Sequence, residues 1–234
     1  IVTDQNLSVN TYPFDITIWN VSDPFIKVKK IKDVLYLNGF SKCVYNHVLQ
    51  NPFFDPKLDD AINYGAIGTV IGHEMTHGFD DQGSKFDEEG NLNNWWSDND
   101  KIKYHKRTKK LEEKFNNYKI EDENINGKLT LGENIADLGG VSISLKALEK
   151  YLNPIYTDEQ ILESKKKFFI NYAIIWRCNT RKEEIKKRII EDPHSPPIFR
   201  VNGVVTNIPE FYKVFSLTEK NNFFKEKENI INIW

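Results

Sequence analysis

Cysteine is scarce in this sequence of 234 residues: Cys43 and Cys178 are its only two, and they lie far apart in the chain. So sparse a set excludes a disulfide framework and leaves open a single bridge between the two. An excess of charge of one sign is also lacking, since 32 basic residues face 34 acidic ones, for a net charge of −2. Without a basic surplus there is no electrostatic footprint for nucleic acid or for an anionic membrane surface. No apolar run reaches the roughly 18 residues of a membrane-spanning helix. The opening IVTDQNLSVN has neither the basic start nor the apolar core of a secretory signal, and its lack of an initiator methionine predicts a processed chain or a fragment. Internal repeats and low-complexity linkers are missing as well.

What is present is enough apolar bulk for one substantial core or two small ones: 39% of the residues are hydrophobic and 15 are phenylalanine. Residues 1–50 are rich in β-branched and aromatic side chains and read as strands or loops. The character changes after NPFFDPKLDD, a loop punctuated by proline. AINYGAIGTVIGHEMTHGFDD then carries apolar residues at Ile62, Ala66, Val70 and Met75, close to a helical period, with Asp59 and Asp60 placed to cap it. Further helices are expected in DKIKYHKRTKKLEEKFNNY, capped by Asp98 or Asn99, and in KLTLGENIADLGGVSISLKALEKYL. Two more are expected in DEQILESKKKFFINYAIIW and RKEEIKKRIIED. The tail PHSPPIFRVNGVVTNIPEFYKVF predicts extended chain, a turn at Asn202–Gly203 and a last short helix.

The chemistry begins at GHEMTHG. His73 and His77 are four residues apart, so on a helix they share one face with Cβ atoms about 5–6 Å apart. That separation lets two imidazoles bind one tetrahedral zinc ion at about 2.0–2.1 Å. Glu74 then lies beside the metal face without being a ligand, placed to take a proton from water. The same spacing also occurs on an ordinary half-buried helix whose histidines are satisfied by other partners.

A catalytic zinc site needs a third protein ligand and one open position. The best candidate is Glu133 in GENIADLGG, from a separate helical segment. Asp137 is one turn on, so both carboxylates project from one face: one to bind metal, the other to accept the free N–H of a ligating histidine. Thr130 followed by Glu133 also matches a capping box, which gives that glutamate a second reading as a helix initiator. The surrounding Leu131, Ile135, Ala136 and Leu138 argue for burial, and the Gly139–Gly140 pair for close helix approach.

NPFFDPKLDDAINYGAIGTVIGHEMTHGFDDQGSKFDEEGNL, LTLGENIADLGG and DPHSPPIFRVNG together resemble the neprilysin and endothelin-converting-enzyme family of zinc metalloendopeptidases. The likeness covers residues 49–234 and sets apart residues 1–48 as a divergent N-terminal segment. It implies a mainly α fold with a small β component (α+β), a thermolysin-like zincin catalytic domain with one zinc ion per chain. His73, His77 and Glu133 would be the ligands, Glu74 the general base and Asp137 the group that orients a ligating histidine. His194 would stabilise the oxyanion, with Asp192 orienting it, and Arg200 would bind a substrate carbonyl. Phe53, Val70 and Trp176 would line an apolar pocket for the residue after the cleaved bond. Oligopeptides are the implied substrates, and the cell envelope or an extracytoplasmic space the implied location.

Some expected features do not match. The family's Asn-Ala-aromatic segment, which pairs with the substrate backbone as an edge strand, is absent from VLYLNGFSKCVYNHVLQ. No stretch matches the family's helical N-terminal domain or its anchor. Arg177 after Trp176, and a terminal Trp234 without a nearby cysteine, resemble bacterial members. These departures leave a second expectation, a catalytically compromised zinc-binding fragment of the same family.

Overall fold

The computed structural model describes residues 49–234. The strands or loops expected before residue 49, and Cys43, lie outside them; Cys178 is exposed. Among the described residues the fold is mainly helical, with one two-strand hairpin pairing β1 (Lys119–Ile120) with β2 (Glu123–Asn124) and an isolated bridge between Phe86 and Leu92.

The motif segment is helical from Asp60 to Phe79, but not as one regular α-helix. Helix α1 (Asp60–Asn63) leads into a π-helical turn (Tyr64–Gly68), then α2 (Thr69–Thr76) and a 3-10 turn (His77–Phe79). Asp59 caps the start as expected, its side chain accepting from the Ala61 amide at 2.9 Å. The π turn has local causes. The Ser144 hydroxyl donates to the Tyr64 carbonyl at 2.6 Å and that of Thr69 to the Ala66 carbonyl at 2.7 Å, so side chains satisfy carbonyls where the i→i−4 ladder is broken.

Helix α3 (Asp98–Asn116) is capped by Ser97, not by Asp98 or Asn99. The Ser97 hydroxyl accepts from the Asp100 amide at 3.2 Å, which leaves the two aspartates in the first turn, where the helix dipole favours them. Its buried residues Tyr104, Thr108, Leu111 and Phe115 follow a single stripe, and Lys101, Lys106, Lys109 and Lys110 face solvent. Helix α4 (Leu131–Leu152) is the central element. The capping box expected at its start does not form: the Thr130 hydroxyl donates to the Asn126 carbonyl at 3.1 Å, and the Glu133 carboxylate turns instead towards the histidines of α2. A complete box forms where the sequence reading did not look, between Thr157 and Gln160 at the start of α5 (Asp158–Ile175).

Helix α6 (Lys182–Glu191) lies on the surface with no buried residue. The expected turn at Asn202–Gly203 is instead the interior of α7 (Pro197–Val205), which Pro197 opens from its first turn. Gly203 is there for contact, not for a turn, because a Cβ on it would stand 2.6 Å from the Phe115 ring. A short α8 (Pro209–Val214) follows, as expected.

The core joins Phe115 of α3, Ile135, Val141 and Leu148 of α4, Phe168 and Tyr172 of α5, and Val204 of α7. Helices α2 and α4 cross at glycine. A Cβ on Gly72 would meet the Gly140 backbone at 2.9 Å, and one on Gly140 would meet the Thr69 carbonyl oxygen at 2.5 Å. The approach read from Gly139–Gly140 therefore exists, and it brings the face bearing His73 onto the face bearing Asp137. No helix among the described residues is long and apolar enough to cross a membrane.

Candidate active site

Helix α2 and the turn after it present His73 and His77 on one face, and the first two turns of α4 present Glu133 and Asp137 opposite them. The Nε2 atoms of the two histidines lie 3.0 Å apart with their rings perpendicular, and Glu133 reaches them with Oε2 3.1 Å from His73 and Oε1 3.6 Å from His77. Donors held at about 2.0–2.1 Å around a tetrahedral ion stand about 3.3–3.4 Å from one another, the range these separations bracket. The Glu133 Oε2 atom is buried and close to two imidazoles, yet no hydrogen bond is directed at it. One ligand atom each from His73, His77 and Glu133 lie within 4.8 Å of one another, two imidazole nitrogens and a carboxylate oxygen of the kind that suits a zinc ion.

Each histidine is turned by a carboxylate behind it. His73 Nδ1 meets Asp137 Oδ1 at 2.7 Å, and His77 Nδ1 meets Asp80 Oδ2 at 2.7 Å. With Nδ1 carrying the proton, Nε2 keeps its lone pair for a metal. Asp80 is in turn fixed by the amides of Gln82 and Gly83, at 2.8 and 2.7 Å from its Oδ1. The sequence reading missed this residue, although its place three after His77 was the available signal. Asp137 is fixed by Arg200, whose Nε and Nη2 each donate to it at 2.7 Å. Arg200 is buried beneath Trp176, its guanidinium carbon 3.9 Å from that ring's centroid.

Glu74 is on the same turn, half-buried, and its carboxylate makes no hydrogen bond or ion pair with the described residues. His194 enters from the loop between α6 and α7. Its Nδ1 lies 2.8 Å from Asp192 Oδ1, which also accepts the His194 amide at 2.9 Å, and its Nε2 lies 3.2 Å from Glu133 Oε2. Phe53, Val70 and Trp176 are each partly buried against the core, and the Phe53 carbonyl accepts the Ile67 amide at 3.0 Å, just ahead of Val70. A cleft of about 530 Å³ opens beside His77 and Glu133, bounded by Gln82, Lys128, Leu129 and Pro193.

The charged groups of the cluster shift one another's ionisation. Burial pulls the His73 imidazolium down, but the Asp137 carboxylate, which accepts from Nδ1, and the nearby Glu133 carboxylate outweigh it and raise the group from 6.5 to about 9. Burial likewise opposes ionisation of Glu133, and the close His194 and His73 imidazoles overcome it, holding the carboxyl well below its usual range. Asp137 is held low against full burial, chiefly by the Arg200 charge. Glu133 raises His194.

A histidine pair on one helix facing a carboxylate on another, each histidine braced from behind, is an arrangement that could hold a metal ion. Comparison with known proteins places it further. The model of peptidase family M13 matches residues 36–231, beginning within the segment set apart at 1–48, and the chain belongs to that family. It is 45% identical over 208 residues to neprilysin-1 of Caenorhabditis elegans, covering 82% of this chain and 28% of that protein. It is 38% identical over 187 residues to the neutral endopeptidase of Lactococcus lactis, covering 80% and 28%. The inhibitor-bound crystal structure of the Mycobacterium tuberculosis zinc metalloprotease Zmp1 superposes with a TM-score of 0.76 at 45% identity, covering 80% of this chain and 30% of that one. The chain thus spans under a third of the length of these relatives.

Proposed function

We propose that this chain carries the catalytic centre of a zinc-dependent endopeptidase that hydrolyses oligopeptides on the amino side of bulky apolar residues. The observation that carries the reading is the convergence of His73, His77 and Glu133 from two crossing helices, with both Nδ1 atoms already bound by carboxylates. Zinc held there would polarise the scissile carbonyl and acidify a water molecule. Glu74 takes the proton of the attacking water and returns it to the leaving amine. His194, kept in register by Asp192, donates from Nε2 to the oxyanion that develops on the substrate carbonyl, a contact typically worth about 10²- to 10³-fold in rate. Arg200 steadies Asp137 and, through it, His73, and its remaining N–H groups are available to a substrate carbonyl. Phe53, Val70 and Trp176 supply the apolar wall that selects the residue after the cleaved bond.

The presence of Glu74, Asp137, His194 and Arg200 around one centre supports an active enzyme over a compromised fragment. An extracytoplasmic location, and a helical domain roofing the cleft in the full-length protein, belong to the same proposal. The test is hydrolysis of a quenched apolar peptide by the purified protein, with chelator and with zinc restored. Cleavage that chelator abolishes and zinc returns is expected; one bound zinc per chain without cleavage would overturn the reading.

A further inference from the structure

Glu133 and His194 are each followed by a buried polar residue, and these two touch. The Ser195 hydroxyl donates to Asn134 Oδ1 at 2.7 Å, and Asn134 Nδ2 donates to the Thr130 hydroxyl at 2.9 Å. That hydroxyl in turn donates to the Asn126 carbonyl at 3.1 Å. Asn134 and Ser195 are only 1% and 2% exposed, so their hydrogen bond is shielded from water. His194 itself is exposed, and its bonds to Asp192 lie within the same proline-flanked loop and move with it. The Ser195 hydroxyl instead ties that loop to the first turns of α4, which carry Glu133.

We propose that Asn134 and Ser195 are positioning residues whose hydrogen bond sets the reach of His194 over the metal-facing Glu133. The inference rests on the oxyanion role given to His194 above. Losing the Ser195 hydroxyl leaves Asn134 Oδ1 buried without a donor and frees the loop. A displacement of about 1 Å in a catalytic group costs on the order of 10²-fold in rate.

The experiment compares Ser195→Ala, Asn134→Ala and the hydroxyl-retaining Ser195→Thr in the zinc-loaded protein, alone and combined with His194→Ala. Ser195→Ala is expected to lower kcat by about 10- to 10²-fold with KM within about twofold, to keep zinc content, and to cost nothing further once His194 is gone. In the metal-free protein, the backbone amides of Asp192, His194 and residue 195 are expected to exchange faster in Ser195→Ala and Asn134→Ala, and to recover in Ser195→Thr. Unchanged exchange, or a Ser195→Ala loss that simply adds to that of His194→Ala, would overturn the proposal. If His194→Ala itself leaves kcat intact, the oxyanion role fails, and the altered exchange would then report a loop tether without a catalytic purpose.

Discussion

Arg200 grips both carboxylate oxygens of Asp137 at 2.7 Å, while the same carboxylate holds His73 at 2.7 Å. The arginine comes from α7 and the aspartate from α4, so His73 on α2, proposed above as a metal ligand, is oriented by a pair that joins the other two helices. All three residues are buried.

Removing Asp137 therefore does two kinds of damage. Asp137→Ala strands the Arg200 guanidinium without its counter-charge, which should destabilise the protein by about 3–5 kcal/mol. It also releases His73 from its tautomer, which should weaken zinc binding by about 10- to 10²-fold. Denaturant unfolding of the metal-free protein and a competition titration with a zinc chelator read the two effects separately.

The glycine crossing gives a second expectation. A Cβ on Gly140 would meet the Thr69 carbonyl oxygen at 2.5 Å and the His73 amide nitrogen at 2.6 Å, and both are backbone atoms that cannot rotate away. Gly140→Ala should force α2 and α4 apart, cost about 1–3 kcal/mol of stability and weaken zinc binding. Thermal unfolding and zinc titration check it. Stability and affinity equal to the parent would show that the crossing yields without loss.

Stability of the metal-free protein should depend on pH through His73. Its value in the folded chain is raised to about 9 from 6.5, so the stabilisation is fully present below 6.5 and is lost as pH rises through about 9. Glu133 acts in the opposite direction: its depressed value contributes stability above its ordinary 4.5 that is lost as pH falls through the lower folded value. Zinc uptake should release protons near neutral pH, because His73 must lose its proton to ligate. Unfolding of the metal-free protein across this range, and calorimetric zinc titration in buffers of different ionisation enthalpy, measure both.

The features most legible in the sequence depend on local spacing. His73 and His77 at helical spacing, Glu133 and Asp137 one turn apart, and the glycine pair at the crossing all imply their geometry once a helix is assumed, and each was found in that arrangement. The family resemblance supplied the reach of His194 to Asp192, which proline-flanked sequence alone does not encode. Where sequence reasoning failed, a tertiary contact replaced a local rule. Glu133 has a cap's spacing but turns to the histidines, and Asn202–Gly203 has a turn's composition but fills the gap against Phe115. Asp80 and Asn134 were passed over because a single acid or amide beside a motif has many surface roles. Only the folded chain shows that Asp80 meets His77 and that Asn134 meets Ser195.

Glu74 bears the central claim, since it is the group assigned to move the proton and it carries no structural bond among the described residues. The most direct measurement is peptide cleavage alongside zinc content in Glu74→Gln. The account predicts one zinc ion per chain, unchanged folding and turnover reduced to background. Peptidase activity retained in that variant would contradict it.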